Sequence, residues 1–346
     1  MYKMTDTDKI IGTGGILNVG FTCYANAVIQ AFRHCTDMNK IFAKGSYTLK
    51  SDCKYNNLTD QFANVIQTLG EISSNSTLRP LGFWNAFDSA VVNTCFDHLA
   101  HREPHDAHEF LMFLLDVLHE SLSKPVAMKI SNCPLKSEKQ IFHAKSLNVW
   151  ISSFQKQYSP FVPLYFGLFH IQITCVSCGH SSNNWETFNT LKGVINKSDA
   201  SPTLLQTIEG ELNTETIDDY ACDKCAPKRS SAVRSTRVWK LPKTLIIVLK
   251  RFTPDGRKIH TPITPISNVV EFNSIFSESS PEKKQHTCYT VRSIVDHHGS
   301  SRGGHYTAQA KHHKEDAWYN YDDQNVSKIT NPHYGESTYI LFLEQC

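Results

Sequence analysis

What this chain does not contain narrows its role quickly. No run of apolar residues comes near the roughly 18 that a membrane-spanning helix needs. The first residues, Met1-Tyr2-Lys3-Met4-Thr5-Asp6-Thr7-Asp8, are polar and hold no apolar core for a signal peptide. Without secretion, the Asn-x-Ser/Thr triplets at Asn57, Asn75, Asn196 and Asn325 are chance matches and not glycosylation sites. An excess of one charge sign is missing too. Lys+Arg 35 against Asp+Glu 33 leaves +2, which gives no overall reason to expect nucleic acid or a membrane as partner. Low-complexity tracts are absent, and the only internal repeat is a short cysteine pattern.

What is present is ordinary globular material. The 346 residues allow one large domain or two smaller ones. A hydrophobic share of 40 % with 20 % charged residues excludes a disordered chain. Eleven cysteines, an odd number in a long chain without a signal peptide, do not read as a disulfide framework. A reducing compartment, cytosol or nucleus, is expected, with cysteines serving metal, catalysis or packing.

Residues 1–14 read as a loose leader. After Cys23, the residues Val28, Ala31, Phe32 and Cys35 share one helical face. A second helix starts near Pro104, which suits a first turn, with Asp106 and Glu109 at its positive end. Its apolar series runs from Phe110 to Leu122. The stretch from Ser121 to Ser146 is polar and reads as loop. From Phe161 the pattern turns to short β-like runs: Leu168–Thr174, Thr187–Ile195, Thr244–Phe252, Thr287–Val295, Tyr306–Ala310, Trp318–Tyr321 and Thr338–Leu343. Ser277–Gln285 reads as an exposed loop. A helix-rich first third followed by strands is an α+β arrangement.

Cys23 follows a glycine-punctuated turn, Gly14-Gly15-Ile16-Leu17-Asn18-Val19-Gly20-Phe21-Thr22, and opens a helix with Thr22 as N-cap. A sulfur at a helix N-terminus is biased toward thiolate, and the free N–H groups there can donate to an oxyanion. Asn18 offers a side-chain amide as a second donor. A buried structural cysteine is the competing reading. A nucleophilic thiol needs a base. Of 17 histidines, His305 stands out, because Gly303-Gly304 precede it at the start of a strand. The strand Trp318–Tyr321 ends in Asp322-Asp323. A hairpin of these two strands brings the Asp322 carboxylate beside the imidazole, where it would fix the tautomer. A solvated turn is the alternative fate of such an Asp pair.

Cys175-Val176-Ser177-Cys178 and Cys222-Asp223-Lys224-Cys225 are two C-x-x-C pairs with 43 residues between them. Two such pairs can complete a tetrahedral all-thiolate site, so one structural zinc ion is expected, against a redox dithiol or a metal-free loop. The spacer is read as two long ribbon strands separated by an insertion. A basic patch, Lys224, Lys228, Arg229, Arg234, Arg237 and Lys240, lies in the ribbon region. It is read as solvated charge or a protein contact, not as a nucleic-acid binder.

Five segments in order resemble the ubiquitin-specific proteases. Residues 14–30 resemble their Cys box, and 303–323 their His box, G-H-Y followed by W-x-x-[FY]-[DN]-D. His105-Asp106-Ala107-His108-Glu109-Phe110-Leu111 is similar to Q-D-A-x-E-F-L. Leu241-Pro242-Lys243-Thr244-Leu245 through Leu249-Lys250-Arg251-Phe252 is similar to L-P-x-x-L…L-K-R-F, and Tyr339-Ile340-Leu341-Phe342 to the terminal Y-[IL]-L-F. The resemblance spans about residues 14–344, and five ordered motifs are far more specific than one. It implies a papain-like cysteine protease fold: a helical thumb over about 14–145, a palm over about 146–168 and 241–346, and zinc-bearing β fingers over about 169–240, after a leader of 1–13.

The implied activity is thiol-dependent hydrolysis after the C-terminal glycine of ubiquitin, through a thioester. Cys23 is the implied nucleophile, His305 the base and Asp322 the third member. Asn18 is the implied oxyanion donor and Asp323 a supporting acid. Implied partners are ubiquitin and ubiquitinated proteins, with an activating protein of the kind some relatives require. The alternative is a ubiquitin-binding scaffold that does not cleave. Three positions depart from the family pattern: Phe21 replaces Asn, His105 replaces Gln and Val248 replaces His. Phe21 and His105 bear on tail entry or loop order, whereas Val248 reads as a packing exchange.

Overall fold

The computed structural model describes residues 12–101, 103–130, 137–196, 200–266, 269–283, 285, 287–300, 303–312 and 315–346. The expected leader therefore lies, up to residue 11, outside the described residues. Its last part is not loose: Thr13 is fully buried, and the Gly12 and Thr13 N–H groups donate to the Ile72 carbonyl.

The first half of the chain is helical. A two-residue strand β1 (Gly15–Ile16) precedes α1 (Cys23–Arg33), α2 (Thr36–Ile41) and α3 (Asn56–Glu71). Then come β2 (Thr77–Leu78), α4 (Leu81–Val91), α5 (Ala107–Ser121), α6 (Glu138–Phe154) and α7 (Phe161–Tyr165). Strands follow: β3 (Gly167–Cys175), β4 (Ser181–Phe188), β5 (Leu191–Val194), then α8 (Leu204–Glu211), β6 (Glu215–Tyr220), β7 (Ser230–Lys240) and β8 (Thr244–Lys250). The last are β9 (Val270–Glu271), β10 (Cys288–Ser300), β11 (Gly303–Lys311), β12 (Trp318–Asp322), β13 (Asn325–Ile329) and β14 (Thr338–Gln345).

Two sheets carry the architecture. The larger runs β13-β12-β11-β10-β14-β8-β5, with β9 on β10; the smaller runs β4-β3-β7-β6. The central strands β8 and β14 of the larger sheet are buried on both faces, and their sequence shows why. Along β8, Ile246 and Val248 face the helical core, while Leu245, Ile247 and Leu249 face a second core under α8. Along β14, Ile340 and Phe342 face the helices, and Leu341 and Leu343 the other side. A two-residue period with apolar residues on both faces makes a continuous hydrophobic run. Val248, 5 % exposed, takes part in that packing.

Helix α1 is the centre of the helical layer, and every one of its residues is buried. A helix buried all round must satisfy its polar side chains internally. Gln30 donates to the Gly14 carbonyl at 2.9 Å, and Arg33 donates to Gln30 at 2.7 Å and to the Gly12 carbonyl at 2.8 Å. The polar stripe of α1 thus holds the entering chain against the helix. Helix α5 is capped by Asp106, which accepts from the His108 N–H at 2.7 Å and the Glu109 N–H at 3.2 Å. The cap places Pro104 before the helix and not in its first turn.

Other elements differ from the sequence expectations for physical reasons. The polar stretch to Ser146 is not all loop, because α6 starts at Glu138 behind a capping box of Ser137 and Gln140. Its sparse apolar stripe, Phe142, Val149 and Trp150, packs on Leu168, Trp185 and Trp239. The run Thr187–Ile195 divides between β4 and β5, which belong to different sheets. The spacer between the cysteine pairs carries more than ribbon: β5 adds in parallel to β8, with α8 beside it. Strand β7 shows little alternation and was not foreseen, since most of its residues are half-buried on both faces. In the Ser277–Gln285 loop, Ser277 and Ser280 are buried, and Ser280 donates to the Trp239 carbonyl at 2.6 Å. The basic patch is drawn into local contacts. Arg234 pairs with Glu215 at 3.2 Å, Lys240 with Glu282 at 2.8 Å, and Arg229 with Asp219 at 2.7 Å.

Phe342 lies fully buried with its ring 5.8 Å from that of Phe32, joining β14 to α1. Phe342→Ala is expected to lower the free energy of unfolding by about 3–5 kcal/mol. Urea denaturation monitored by tryptophan fluorescence measures it, and a loss under about 1 kcal/mol would contradict the role assigned to this contact.

Candidate active site

The Cys23 segment meets the β11–β12 hairpin at the N-terminus of α1. Asp323, in the turn after β12, is the joint. One carboxylate oxygen accepts from the Asn26 side-chain amide at 2.7 Å, and the other from the Asn18 amide at 2.9 Å. Its backbone carbonyl accepts from the Ile16 N–H at 2.9 Å. The chains approach so closely that a Cβ on Gly15 would stand 2.5 Å from the Gln324 carbonyl oxygen. Glycine is required there.

Asn18 works with both ends of its amide. Its Oδ1 accepts from the N–H groups of Gly20 and Thr22, each at 3.1 Å. Thr22 stands at the N-cap position, but its hydroxyl does not cap the helix. It accepts from the Val19 N–H at 3.1 Å instead and so closes the preceding turn. The hydroxyl is consumed by the chain entering the helix, which leaves the first helical N–H groups to the sulfur.

Burial raises the Cys23 thiol above its ordinary value of 9.0, and the Asp323 carboxylate adds to the rise. The N–H groups of Tyr306, Tyr24 and Cys23 act in the opposite direction but are outweighed. The helix N-terminus therefore does not make a resting thiolate, contrary to the bias expected from position alone. Desolvation of the charged form exceeds the stabilisation by three backbone dipoles.

His305, at the start of β11, is held by Asp322 at the end of β12: Nε2 lies 2.6 Å from Oδ1. The β11–β12 pairing sets this up, with Ala308 opposite Tyr321. Ligating atoms of His305, Asp322 and Asp323 all lie within 4.8 Å of one another. Among the described residues, no hydrogen bond joins His305 to Cys23. The hairpin with Asp322 beside the imidazole is thus present, and the Asp pair is no simple solvated turn. Asp322 faces His305, and Asp323 faces α1.

A cavity of about 460 Å³ opens on Cys23. Tyr24, His105, Phe252, His297, Gly304 and Tyr306 are among its walls. His105 lines it with its ring edge-on to Tyr24 at 5.5 Å and its Nε2 2.8 Å from the His101 carbonyl oxygen. Asp106 accepts from the Tyr339 hydroxyl at 2.7 Å and so ties α5 to β14 beside the cavity.

Sequence reasoning missed His297. It is 4 % exposed on β10, and its Nδ1 has no hydrogen-bond partner. Burial, with Lys258 and His298 nearby, lowers it to about 4, so it is neutral near pH 7. Its signal was the Gly303-Gly304 pair, because a Cβ on Gly304 would meet the His297 Nε2 at 2.5 Å. Asn26 was also missed as a functional residue. A polar side chain three places after Cys23, within a helix start buried on all sides, was the available clue.

The second cluster lies at one end of the smaller sheet, where the β3–β4 and β6–β7 turns abut. The sulfurs of Cys175, Cys178, Cys222 and Cys225 all lie within 4.8 Å of one another and can hold a metal ion. Cys178 and Cys222 are 3.6 Å apart, and Cys175 and Cys225 3.9 Å.

Comparison with known proteins follows the same line. Residues 14–343 match the family model described as ubiquitin carboxyl-terminal hydrolase. Ubiquitin carboxyl-terminal hydrolase 2 of Bos taurus is 25 % identical over 345 residues, covering 96 % of this chain and 55 % of the relative. Ubiquitin carboxyl-terminal hydrolase 36 of Drosophila simulans is 29 % identical over 353 residues, covering 99 % and 32 %. The chain thus spans about half, or less, of the length of these curated relatives. A solved SAGA DUB module of Ubp8, Sgf11, Sus1 and Sgf73 bound to monoubiquitin contains a chain of like fold. The TM-score is 0.73 at 20 % identity, covering 99 % of this chain and 72 % of that one. A related yeast SAGA structure gives 0.72 at 20 % identity, covering 100 % and 71 %. The fold is the α+β, papain-like one anticipated from the sequence.

Because its thiol is raised above 9.0, Cys23 in the free protein is expected to react slowly with iodoacetamide at pH 7. The rate should climb with pH beyond 9, since only the thiolate reacts. Peptide-mapped alkylation from pH 6 to 10 measures this. A rate already at its plateau at pH 7 would show a resting thiolate and contradict the burial effect.

Proposed function

Because this chain belongs to the ubiquitin carboxyl-terminal hydrolase family, we propose that it is a thiol-dependent isopeptidase. It hydrolyses the bond after the C-terminal glycine of ubiquitin on ubiquitinated proteins. The observation that supports this reading is the junction at α1: a buried thiol at the helix start, beside a hairpin whose His305 and Asp322 lie 2.6 Å apart.

His305 takes the proton of Cys23, and Asp322 stabilises the imidazolium that results. The thiolate attacks the glycine carbonyl carbon, whose oxygen becomes an oxyanion. That charge falls to the N–H groups at the start of α1 and to the second hydrogen of the Asn18 amide, whose first is donated to Asp323. The imidazolium gives its proton to the leaving lysine amine as the C–N bond breaks, leaving a thioester. His305 then deprotonates water, which attacks the thioester, and the sulfur leaves as thiolate. Asp323 acts as a positioning residue, because it touches Asn18 and not the reacting atoms. The charge separation of the first step is costly in a buried site, so the oxyanion donors must be aligned before attack.

The division into leader (1–13), thumb, palm and fingers follows this reading, although β5 and α8 join the larger sheet. A reducing compartment, cytosol or nucleus, goes with a reactive thiol and a thiolate metal site. An activating protein that aligns Cys23 with His305 is a consistent partner, since the two are not hydrogen-bonded in the free chain.

The metal is proposed to be one structural zinc ion. A tetrahedral zinc with Zn–S of about 2.3 Å has sulfur–sulfur edges of about 3.8 Å. The observed 3.6 and 3.9 Å fit this. With all four positions taken by protein, the ion would fasten two turns and leave no site for substrate.

Intact-mass analysis after incubation with ubiquitin carrying a C-terminal thiol-reactive group tests the hydrolase reading. One adduct on wild type, absent from Cys23→Ala, is expected. No adduct on folded, metal-loaded wild type would favour the non-cleaving scaffold.

Elemental analysis should give one zinc per chain in wild type and a large loss in Cys178→Ser, with a lowered thermal midpoint. Metal-free wild type whose four thiols all alkylate in the native state would refute the site.

A further inference from the structure

We propose that Phe21 is a specificity-determining residue on the leaving-group side of Cys23. It supplies an apolar platform for the aliphatic stem of the conjugated lysine and the apolar side chains flanking it. The proposal rests on the reading of Cys23 as the nucleophile of an isopeptidase.

Phe21 stands two residues before Cys23 with 59 % of its surface exposed. Among the described residues, its ring stacks on no other aromatic ring. The core gains nothing from it, and solvent exposure of a phenyl ring is unfavourable. The backbone adds a second cost. Phe21 has φ +52° and Gly20 φ +109°, both in the left-handed region. Asparagine, which the resembled Cys box carries at this position, suits that region far better than a bulky aromatic residue.

The backbone that carries the ring is held on both sides. Asn18 Oδ1 fixes the N–H groups on either side of Phe21, those of Gly20 and Thr22, at 3.1 Å each. Thr22 Oγ1 fixes the Val19 N–H at 3.1 Å. Since Asn18 is in turn held by Asp323 at 2.9 Å, the turn that displays Phe21 belongs to the same rigid unit as the nucleophile. A displayed group on a rigid unit loses little entropy when it is covered.

The position outside the cavity sets the direction. Tyr24, His105, Phe252 and Tyr306 line the cavity that opens on Cys23, and Phe21 does not. On the hydrolase reading, that cavity takes the acyl half of the substrate when the carbonyl reaches the sulfur. The amine half must then lie against surface that adjoins Cys23 outside it. Phe21 is the exposed large apolar side chain nearest Cys23 in sequence there. A lysine stem of four methylenes, exposed on its own protein, is suited to cover a phenyl ring. A leaving group without flanking side chains covers less of it.

The test compares two substrates with one acyl half. One is ubiquitin carrying a C-terminal aminocoumarin amide. The other is ubiquitin joined by an isopeptide bond to the lysine of a peptide with apolar flanking residues. Steady-state kcat and KM are measured on the purified, zinc-loaded full chain for wild type, Phe21→Asn and Phe21→Leu. In Phe21→Asn the ratio of kcat/KM on the peptide conjugate to that on the coumarin amide is expected to fall about five- to tenfold, carried by KM. Phe21→Leu, which keeps an apolar surface, should recover most of the ratio. The thermal midpoint of Phe21→Asn should not fall, because the strained backbone accepts asparagine. An unchanged ratio, or equal losses on both substrates, would overturn the proposal. Wild type inert toward both substrates and unlabelled at Cys23 would remove the hydrolase reading itself, and this proposal with it.

Discussion

The structure around the thiol hangs on a single carboxylate. Asp323 receives the side-chain amides of Asn18 and Asn26, while its own carbonyl receives the Ile16 N–H. These three bonds join the strand before the thiol, the helix that carries it and the hairpin that carries the base. The hairpin lies 305 positions from Asn18 and 297 from Asn26, so the joint closes most of the chain's length. Other hydrogen bonds also join the helical layer to the larger sheet, among them Ser293 Oγ to the Ala31 carbonyl at 2.7 Å and Tyr339 to Asp106 at 2.7 Å, but this joint is the one that holds the thiol segment itself. The cost is visible in the backbone: Asp323 has φ +52°, tolerated for aspartate better than for most residues. Adjacent aspartates at a strand end point in different directions. One strand terminus therefore serves the imidazole with Asp322 and the helix with Asp323.

A buried site of this kind sets desolvation against local dipoles. For Cys23 desolvation wins, and the thiol stays protonated at rest. Asp323 has both carboxylate oxygens taken by side-chain amides, one from Asn18 and one from Asn26. Arg33 shows a third solution, in which a fully buried guanidinium is spent on Gln30 and the Gly12 carbonyl. Arg251 does the same farther along, donating to the carbonyls of Ile259, Thr261 and Gly335. These groups act as internal braces for irregular chain, where no ladder of backbone hydrogen bonds is available.

The parts legible in the sequence were those whose local chemistry and tertiary role agree. The continuous apolar runs through Thr244–Leu249 and Tyr339–Leu343 are dictated by strands buried on both faces, so the pattern survives in the residues. The pairing of His305 with Asp322 was readable because both sit on strands of one hairpin, where register fixes their approach. The four cysteines were readable from spacing alone. Elements that failed were governed by partners remote in sequence. Helix α6 buries only a thin stripe against Trp185 and Trp239, and so reads as polar loop. Strand β7 is half-solvated on both faces, and so shows no period. Thr22 looks like a cap, yet its hydroxyl closes the turn before the helix. The duty of Asn18 toward Asp323 depends on a contact 305 positions away, which no local pattern encodes.

Sulfur in this chain is assigned its chemistry by surroundings and not by residue type. Cys35 is buried among apolar groups, and burial drives its thiol well above 9.0, so it is inert packing. Cys23 feels the same penalty more weakly, because three N–H groups face it, and a histidine held by a carboxylate lies on the adjoining hairpin. That combination keeps the proton on sulfur at rest, since burial outweighs the three N–H groups. Cys175, Cys178, Cys222 and Cys225 form the opposite case. Four sulfurs within 4.8 Å cannot all ionise unless a cation offsets their mutual repulsion. A bound dication would make the thiolates permanent and in doing so withdraw them from nucleophilic chemistry. The fold thus buries the Cys23 sulfur singly at the start of α1 and gathers four others at one end of the smaller sheet, two arrangements suited to different chemistry.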